Sequence, residues 1–584
     1  RTPPTSLFAL CFSFVLFTAL MQLPLYVKQE HDPSQSQRRR SRASSSTSAS
    51  SSKDQDLIVA AIVVVVVMCV LLLLLFFVLI GVTSGSDGDT VTGLSLQQQL
   101  ADLPERSREI ASPSVVSSAV VKPATDTTPS GSKVEQGTED RVEHVALVSS
   151  KEAEEEHASR LLQNEQRRQQ VASASLQADR NAREKVATLL PTITALLQDR
   201  FGPLPERPPH SEAQPQDNTG NSTWEPYWAR PVQSSLLQMP YFDPRLVPIV
   251  YTWVNGSDPA YREVRMKYCP HKPATRCVGG NRDRTMDEIR FSLRSLSMYM
   301  PWWQGDLYFV TPGHYPEWLN TSNPRVHLVN QDSLFPPEFK KNLPTFSSTP
   351  IEQFLFRCIP KPHKIFLYMN DDYFFSNLVR PEDLFTDNLQ GQSIFFERGQ
   401  VHGREDKAMA YKKSRKKIWL ASVYNSVGAF ERVMKEELAA GLIQNPVPNS
   451  MKRFMKHQPF VWNVDVMREM HHLWRKEIEI SNAHPHRTHD DILVPFVHAL
   501  YLMARYPPAS WKVIPDPEAT DEFKFVVLNE QASKEIETKL TDIAIKRPRF
   551  FTLNDGGNHG SVKKMATLLL SRLFPDPSPY ERRV

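Results

Sequence analysis

KIFLYMNDDYFF, residues 364–375, is the stretch on which the fold reading turns. Ile365, Phe366, Leu367, Tyr368 and Met369 form a mostly apolar, β-rich run, as expected of a strand buried on both faces. The run stops at Asn370-Asp371-Asp372. In open α/β sheets the C-terminal strand edge is where ligands bind, and paired carboxylates there suit a divalent ion that escorts a diphosphate. The plainer reading is a strand followed by an acidic turn, since Asn and Asp are ordinary turn residues. The stretch alone does not separate the two.

Outward from it, the chain from residue 248 alternates apolar β-rich runs with helical patterns. Residues 249–254 end in Asn255-Gly256-Ser257-Asp258-Pro259, a turn able to present a carboxylate and backbone N–H groups at a strand end. In DEIRFSLRSLSMYM, residues 287–300, Ile289, Leu293, Leu296 and Met300 recur at helical spacing behind Asp287. Arg290 and Arg294 then lie one turn apart on a neighbouring face, as a phosphate clamp or as a solvated cationic surface. Strand-like runs at 306–311 and 325–330 and a helix-like run at 350–359 lead to the opening strand. Residues 393–397, 523–528 and 550–553 read as further strands, with a helix at 531–545, and the last strand ends in Asn554-Asp555. This order predicts an α/β domain with a largely parallel sheet and a mainly helical part at about 422–506.

Residues 407–417 are strongly basic, with Lys412, Lys413, Arg415, Lys416 and Lys417. A mobile surface loop is the plain expectation, and an anionic acceptor or a membrane surface the sharper one. The helical part holds His457, His471, His472, His484, His486, His489 and His498. His484, His486 and His489 with Asp490 and Asp491 match no zinc spacing, so they are expected to be exposed loop histidines.

The first part of the 584-residue chain has a different texture. Residues 1–56 are basic and low in complexity, and an apolar run at 7–26 reads as another span or a signal-like segment. Residues 57–83 carry no charge and exceed the roughly 20 residues a transmembrane helix needs. The basic stretch before them predicts a cytoplasmic start, with all that follows residue 83 lumenal or extracellular. A disordered linker is expected at 84–138, a helical stalk at 139–201 offering a surface for a homo-oligomer, and a Pro-rich linker at 202–244. The sequons at Asn221 and Asn320 agree with a lumenal setting. A formal charge of +4 gives no reason to expect nucleic acid as a partner. Five cysteines are too few for a disulfide scaffold; in an oxidising lumen Cys269 and Cys277 could close a small loop, leaving Cys358 a buried thiol.

Taken together, PIVYTWVNGSDP, RDRTMDEIRFSLRSL with YMPWWQGDLYFVT and FLYMNDDYFF, the His457-Gln458-Pro459 region and FFTLNDGG resemble, in order, the four regions of the Stealth family. Its members include microbial polysaccharide phosphotransferases and the Golgi N-acetylglucosamine-1-phosphotransferase precursor. The resemblance covers about 245–560, leaving 561–584 as a tail. It implies a GT-A-like or Rossmann-like nucleotide-sugar domain that transfers a sugar 1-phosphate from a nucleotide diphosphosugar, such as a UDP-sugar, to a glycan or glycoprotein acceptor hydroxyl. By the same resemblance Asp371 and Asp372 hold Mg²⁺ or Mn²⁺ or orient the acceptor, and His457 is the general base, imidazole being the side chain that exchanges protons near neutral pH. Arg487 stabilises the transferring phosphoryl group, while Asn255, Asp258, Asp287, Arg290, Arg294, Asn554 and Asp555 bind substrate. Two departures stand out. HPHRTH replaces the aromatic-arginine pair usual around the later arginine, and no Cys-rich recognition module fits between residues 384 and 422, which makes a glycan the expected acceptor. The competing readings are a metal-dependent glycosyltransferase that releases nucleoside diphosphate and a membrane-tethered carbohydrate-binding protein.

Overall fold

The computed structural model describes residues 139–206, 227–231 and 239–582, apart from 272, 274–276, 279–284, 442, 444–445, 515–521 and 557–559. The expected cytoplasmic region, membrane span and linker at 84–138 lie outside the described residues, as does much of the Pro-rich stretch. Among the described residues no helix is long and apolar enough to cross a membrane.

The strands, in chain order, are β1 (Ile249–Thr252), β2 (Leu307–Thr311), β3 (Val326–Asn330), β4 (Ile365–Asn370), β5 (Tyr373–Phe375), β6 (Gln392–Gln400), β7 (Arg453–Met455), β8 (Phe460–Asn463), β9 (Trp511–Ile514), β10 (Phe523–Leu528) and β11 (Phe550–Asp555). Five form the main sheet, in the order β3-β2-β1-β4-β8. The first four run parallel, with Ile249 opposite both Leu307 and Leu367. The chain fills one side of β1 with β2 and β3, then crosses back to lay β4 on the other side. That reversal opens a crevice at the carboxyl ends of β1 and β4, where doubly wound sheets take their ligands.

The apolar runs are continuous because both faces of the sheet are covered. Alternation along β1 sends Ile249 and Tyr251 to one core and Val250 to the other. On the first side lie helix Glu288–Tyr299, with Ile289, Leu293 and Leu296 buried as their spacing predicts, and helices Ser533–Lys546 and Ser561–Leu573. Helices Ile418–Ala439, Val464–Leu473 and Val494–Arg505 cover the other side.

The part at 422–506 is mainly helical, as expected, and four features add to or correct the expectations. The segment 422–506 contains strands as well as helices: β8 joins the main sheet antiparallel to β4, with Tyr368 opposite Phe460. FVWN is too short to show a period of its own. Second, the chain after Asp372 makes another strand, β5, which leaves the main sheet and pairs antiparallel with β11, so the acidic turn bridges two sheets. Third, residues 405–414 of the basic segment are helical, and Arg415 and Lys417 that follow have left-handed φ of 52° and 51°. Fourth, the stalk helix Glu139–Phe201, which continues through Pro191, buries Ala182 and Leu197 in the domain core and pairs Asp179 with Arg547 at 3.1 Å. Its C-terminal part is therefore docked. Within the Pro-rich stretch, the rings of Tyr227 and Trp228 pack on His471 and His472. Cys269 and Cys277 are joined as a disulfide.

Candidate active site at the carboxyl ends of β1 and β4

The turn after β1 is pinned by its own side chains. Asp258 caps helix Pro259–Lys267, accepting from the Tyr261 N–H at 2.8 Å, with Pro259 at the first helical position. Asn255 Oδ1 accepts from the Ser257 N–H at 3.0 Å, and the Asn255 N–H donates to His314 Nε2 at 2.8 Å. His314, from the loop after β2, is a site residue that sequence reasoning missed, because a lone histidine in GHYP carries no pattern. Burial lowers its pKa, and the nearby Asp258 works against that shift.

At the end of β4 a hydrogen-bond chain runs outward. The Tyr368 hydroxyl donates to Asn370 Oδ1 at 2.6 Å, and Asn370 Nδ2 donates to the Tyr373 hydroxyl at 3.3 Å. That hydroxyl lies 3.1 Å from His457 Nδ1, and His457 Nε2 lies 3.7 Å from Asp372 Oδ2. The topology explains the meeting: β8 runs antiparallel to β4, so the residues just before β8 arrive at β4's carboxyl end. The Thr552 hydroxyl holds the His457 carbonyl at 2.6 Å, and Phe525 packs edge-on to the ring. The Tyr373 oxygen, which accepts from Asn370 Nδ2, also accepts from Nδ1–H in the tautomer that leaves the Nε2 lone pair on the side of Asp372, open to a substrate proton.

Asp371 carries a strongly raised pKa, from burial first and then from the charges of Asp372 and Glu288. Glu288 is itself pushed up by burial while accepting from the Met286 N–H at 2.8 Å. Asp372 Oδ1 is buried without a hydrogen-bond partner among the described residues. Among the described residues no three His, Cys, Asp or Glu side chains are arranged to hold an ion by themselves. A buried orphan carboxylate oxygen beside a repelled neighbour nonetheless fits a Mg²⁺-like ion, which takes one or two carboxylates and completes its shell with water and phosphate.

Arg487 joins the same wall through a residue the sequence did not mark. Its Nη2 donates to Ser348 Oγ at 3.1 Å, in helix Ser348–Phe354. Glu352 of that helix is buried; burial raises its pKa, against the opposing pull of Arg487, Ser348, Tyr368 and His457. The Tyr368 hydroxyl is 3.3 Å from Glu352 Oε1. Glu352 thus links Arg487 to the chain that ends on His457. In PIEQFLF it reads only as a polar position of a short helix.

Other expected site residues are engaged elsewhere. Arg290 Nε and Arg294 Nε lie 2.6 and 2.7 Å from Glu581, and Arg294 Nη1 also donates to the Phe574 carbonyl at 3.0 Å. The phosphate-clamp expectation is corrected: these guanidinium groups anchor the tail 561–584 to the domain. Asp287, left-handed at φ 62°, accepts from Trp318 Nε1 at 2.9 Å. Asp555 pairs with Lys563 at 2.8 Å at the end of β11, beside Asn554. Two of the histidines belong to the core: burial lowers His471 to about 4 and His498 to about 3, each hydrogen-bonded to backbone as a neutral ring.

Comparison with known proteins decides the family. Residues 249–268, 282–393 and 456–504 match conserved regions 1, 2 and 3 of Stealth proteins, covering β1, the acidic turn and His457 with Arg487. The chain belongs to the Stealth family. Asn554 and Asp555 lie outside the matched regions. Among relatives of this Stealth protein, an exopolysaccharide phosphotransferase of Streptomyces coelicolor is 30% identical over 348 residues, 58% of this chain and 52% of that protein. The capsular polysaccharide phosphotransferase WcwK of Streptococcus pneumoniae is 38% identical over 143 residues, 24% and 42% of the two chains. The chain spans about half the length of the curated relatives it matches. A solved structure of the galactosyltransferase LgtC with donor and acceptor sugar analogs aligns with 57% of this chain and 96% of its own, at 8% identity and a TM-score of 0.29.

Proposed function

We propose that this Stealth protein transfers a sugar 1-phosphate from a nucleotide diphosphosugar, a UDP-sugar in the simplest case, to a hydroxyl of a glycan acceptor. The observation that carries the reading is the meeting of Asp371, Asp372, His457 and, through Glu352, Arg487 at the β1/β4 crevice of a Stealth-family chain. An acceptor oxygen attacks the phosphorus that bears the sugar. The bond from that phosphorus to the bridging oxygen breaks, and the nucleoside monophosphate leaves. Asp371 and Asp372 would hold Mg²⁺ or Mn²⁺, which when bound neutralises diphosphate charge. His457, oriented by Tyr373, takes the acceptor proton, with Asp372 balancing the imidazolium. Arg487 supplies positive charge to the transferring group.

The reading extends to a GT-A-like nucleotide-sugar domain and to a membrane of the secretory pathway such as the Golgi, with the domain lumenal. The apolar run at 57–82 and the Cys269–Cys277 disulfide support that placement. Identification of the released nucleotide tests the reaction: nucleoside monophosphate supports it, and nucleoside diphosphate means glycosyl transfer instead.

A further inference from the structure

The basic segment is not absorbed by the chemistry above. Helix Glu405–Ser414 and the turn after it expose Lys407, Lys413, Arg415 and Lys416, and none of these has a carboxylate partner among the described residues. Three large apolar side chains are exposed in their midst: Met409 at 58%, Trp419 at 47% and, less so, Ile418, with Trp419 stacked on Phe454. Arg415 and Lys417 are both left-handed, a conformation disfavoured for a residue with a Cβ. Strain of this kind persists where surrounding structure imposes it, commonly at ligand clamps.

The loop that carries Arg487 packs against this segment. Lys412 Nζ pairs with Asp490 at 2.6 Å, and His489 Nε2 lies 3.2 Å from the Lys416 carbonyl. The Ser422 hydroxyl donates to the Thr488 carbonyl at 2.8 Å, and Asn425 Nδ2 to the Asp490 carbonyl at 2.9 Å. Two contacts therefore fasten the cationic segment, and two more the helix that follows it, to residues 488–490, immediately beside Arg487 and hence beside the reaction centre.

We infer that residues 407–419 form an acceptor subsite for an anionic glycan that carries phosphodiester groups. The inference rests on the proposed reaction: each transfer adds a phosphodiester, so a chain already extended by this chemistry is polyanionic and complements the exposed cations. Trp419 and Met409 offer an apolar platform for a sugar ring between them. On this account the protein prefers its own kind of product as acceptor over a neutral glycan of the same length.

The test uses the full chain, an oligosaccharide with phosphodiester linkages, and the same sugars without phosphate. Binding is measured without donor, and turnover separately. Wild type should bind the phosphodiester oligosaccharide at least tenfold more tightly than the neutral one at low salt, with the preference shrinking as salt rises. Lys407→Gln/Lys413→Gln/Lys416→Gln should weaken that binding about tenfold, the scale of three exposed charge contacts, and raise the acceptor KM in step. Trp419→Ala, which keeps the charges, should weaken both oligosaccharides. Equal binding of the two by wild type overturns the inference, as does tight binding to anionic phospholipid vesicles without binding to either oligosaccharide. If phosphodiester binding is selective but no nucleoside monophosphate appears in turnover, the reaction falls while the anion-binding surface stands.

Discussion

The Tyr373 hydroxyl lies 3.1 Å from Nδ1 of His457, while Nε2 of the same ring faces Asp372 Oδ2 at 3.7 Å. One hydroxyl on a strand that crosses into a second sheet thus sets the orientation of the imidazole in the first. Tyr373→Phe keeps the edge-on packing of the two rings, 5.0 Å between centroids, and deletes only the hydrogen bond. It should lower kcat about tenfold, near the worth of one good hydrogen bond, and shift the pH–rate profile. A purely structural role for Tyr373 would leave the profile in place.

Asp371 makes the site a stability liability. Its folded pKa is raised above the ordinary 3.8, so the stability it allows is fully present below about pH 3.8 and is lost as pH rises towards the folded value. Asp371→Asn removes that loss. It should raise Tm by about 1–3 °C at neutral pH, with the gap over wild type closing as pH falls towards 4, while turnover disappears. Thermal melts at several pH values read it directly.

A carboxylate pair relieved by a cation predicts linkage of the opposite kind. Mg²⁺ added to the wild type should raise Tm with a dependence on concentration, since a ligand of the native state alone stabilises it by mass action. Asp372→Asn should flatten that response. A response of equal size in both proteins would remove Asp372 from the ion site.

Glu581 behaves in the reverse sense to Asp371. Burial alone would raise its pKa, but Arg294, the Ser578 N–H and Arg290 outweigh it and bring the carboxyl down to about 2. Its contribution is therefore present above the unfolded value near 4.5 and is lost as pH falls from there towards 2. Glu581→Gln leaves two guanidinium groups short of their counter-charge and should cost about 3 kcal/mol in denaturant unfolding. Arg294→Ala should act chiefly on stability too; a selective rise in donor KM would restore the phosphate-clamp reading.

How much was legible in the sequence follows from which signals are local. The buried strand 365–370, the helix with Ile289, Leu293 and Leu296, and the acidic turn were readable, because periodicity and composition within a dozen residues carry them. Partnership over long separations was not. Arg290 and Arg294 look alike whether they meet phosphate or Glu581, which is 291 residues from Arg290. Glu352 and His314 sit in ordinary segments and acquire meaning only when the sheet order brings Tyr368 and Asn255 to them. β8 was hidden by its length, yet it is the strand that delivers His457 to the crevice.

The central claim is attack at phosphorus in the β1/β4 crevice, and the nucleotide set free reports it most directly. Full-length protein incubated with UDP-sugar, Mg²⁺ or Mn²⁺ and a phosphodiester-bearing glycan should release UMP in step with new phosphodiester, and His457→Ala should release none while remaining folded. Release of UDP by the wild type, or UMP release that survives in His457→Ala, would contradict the account.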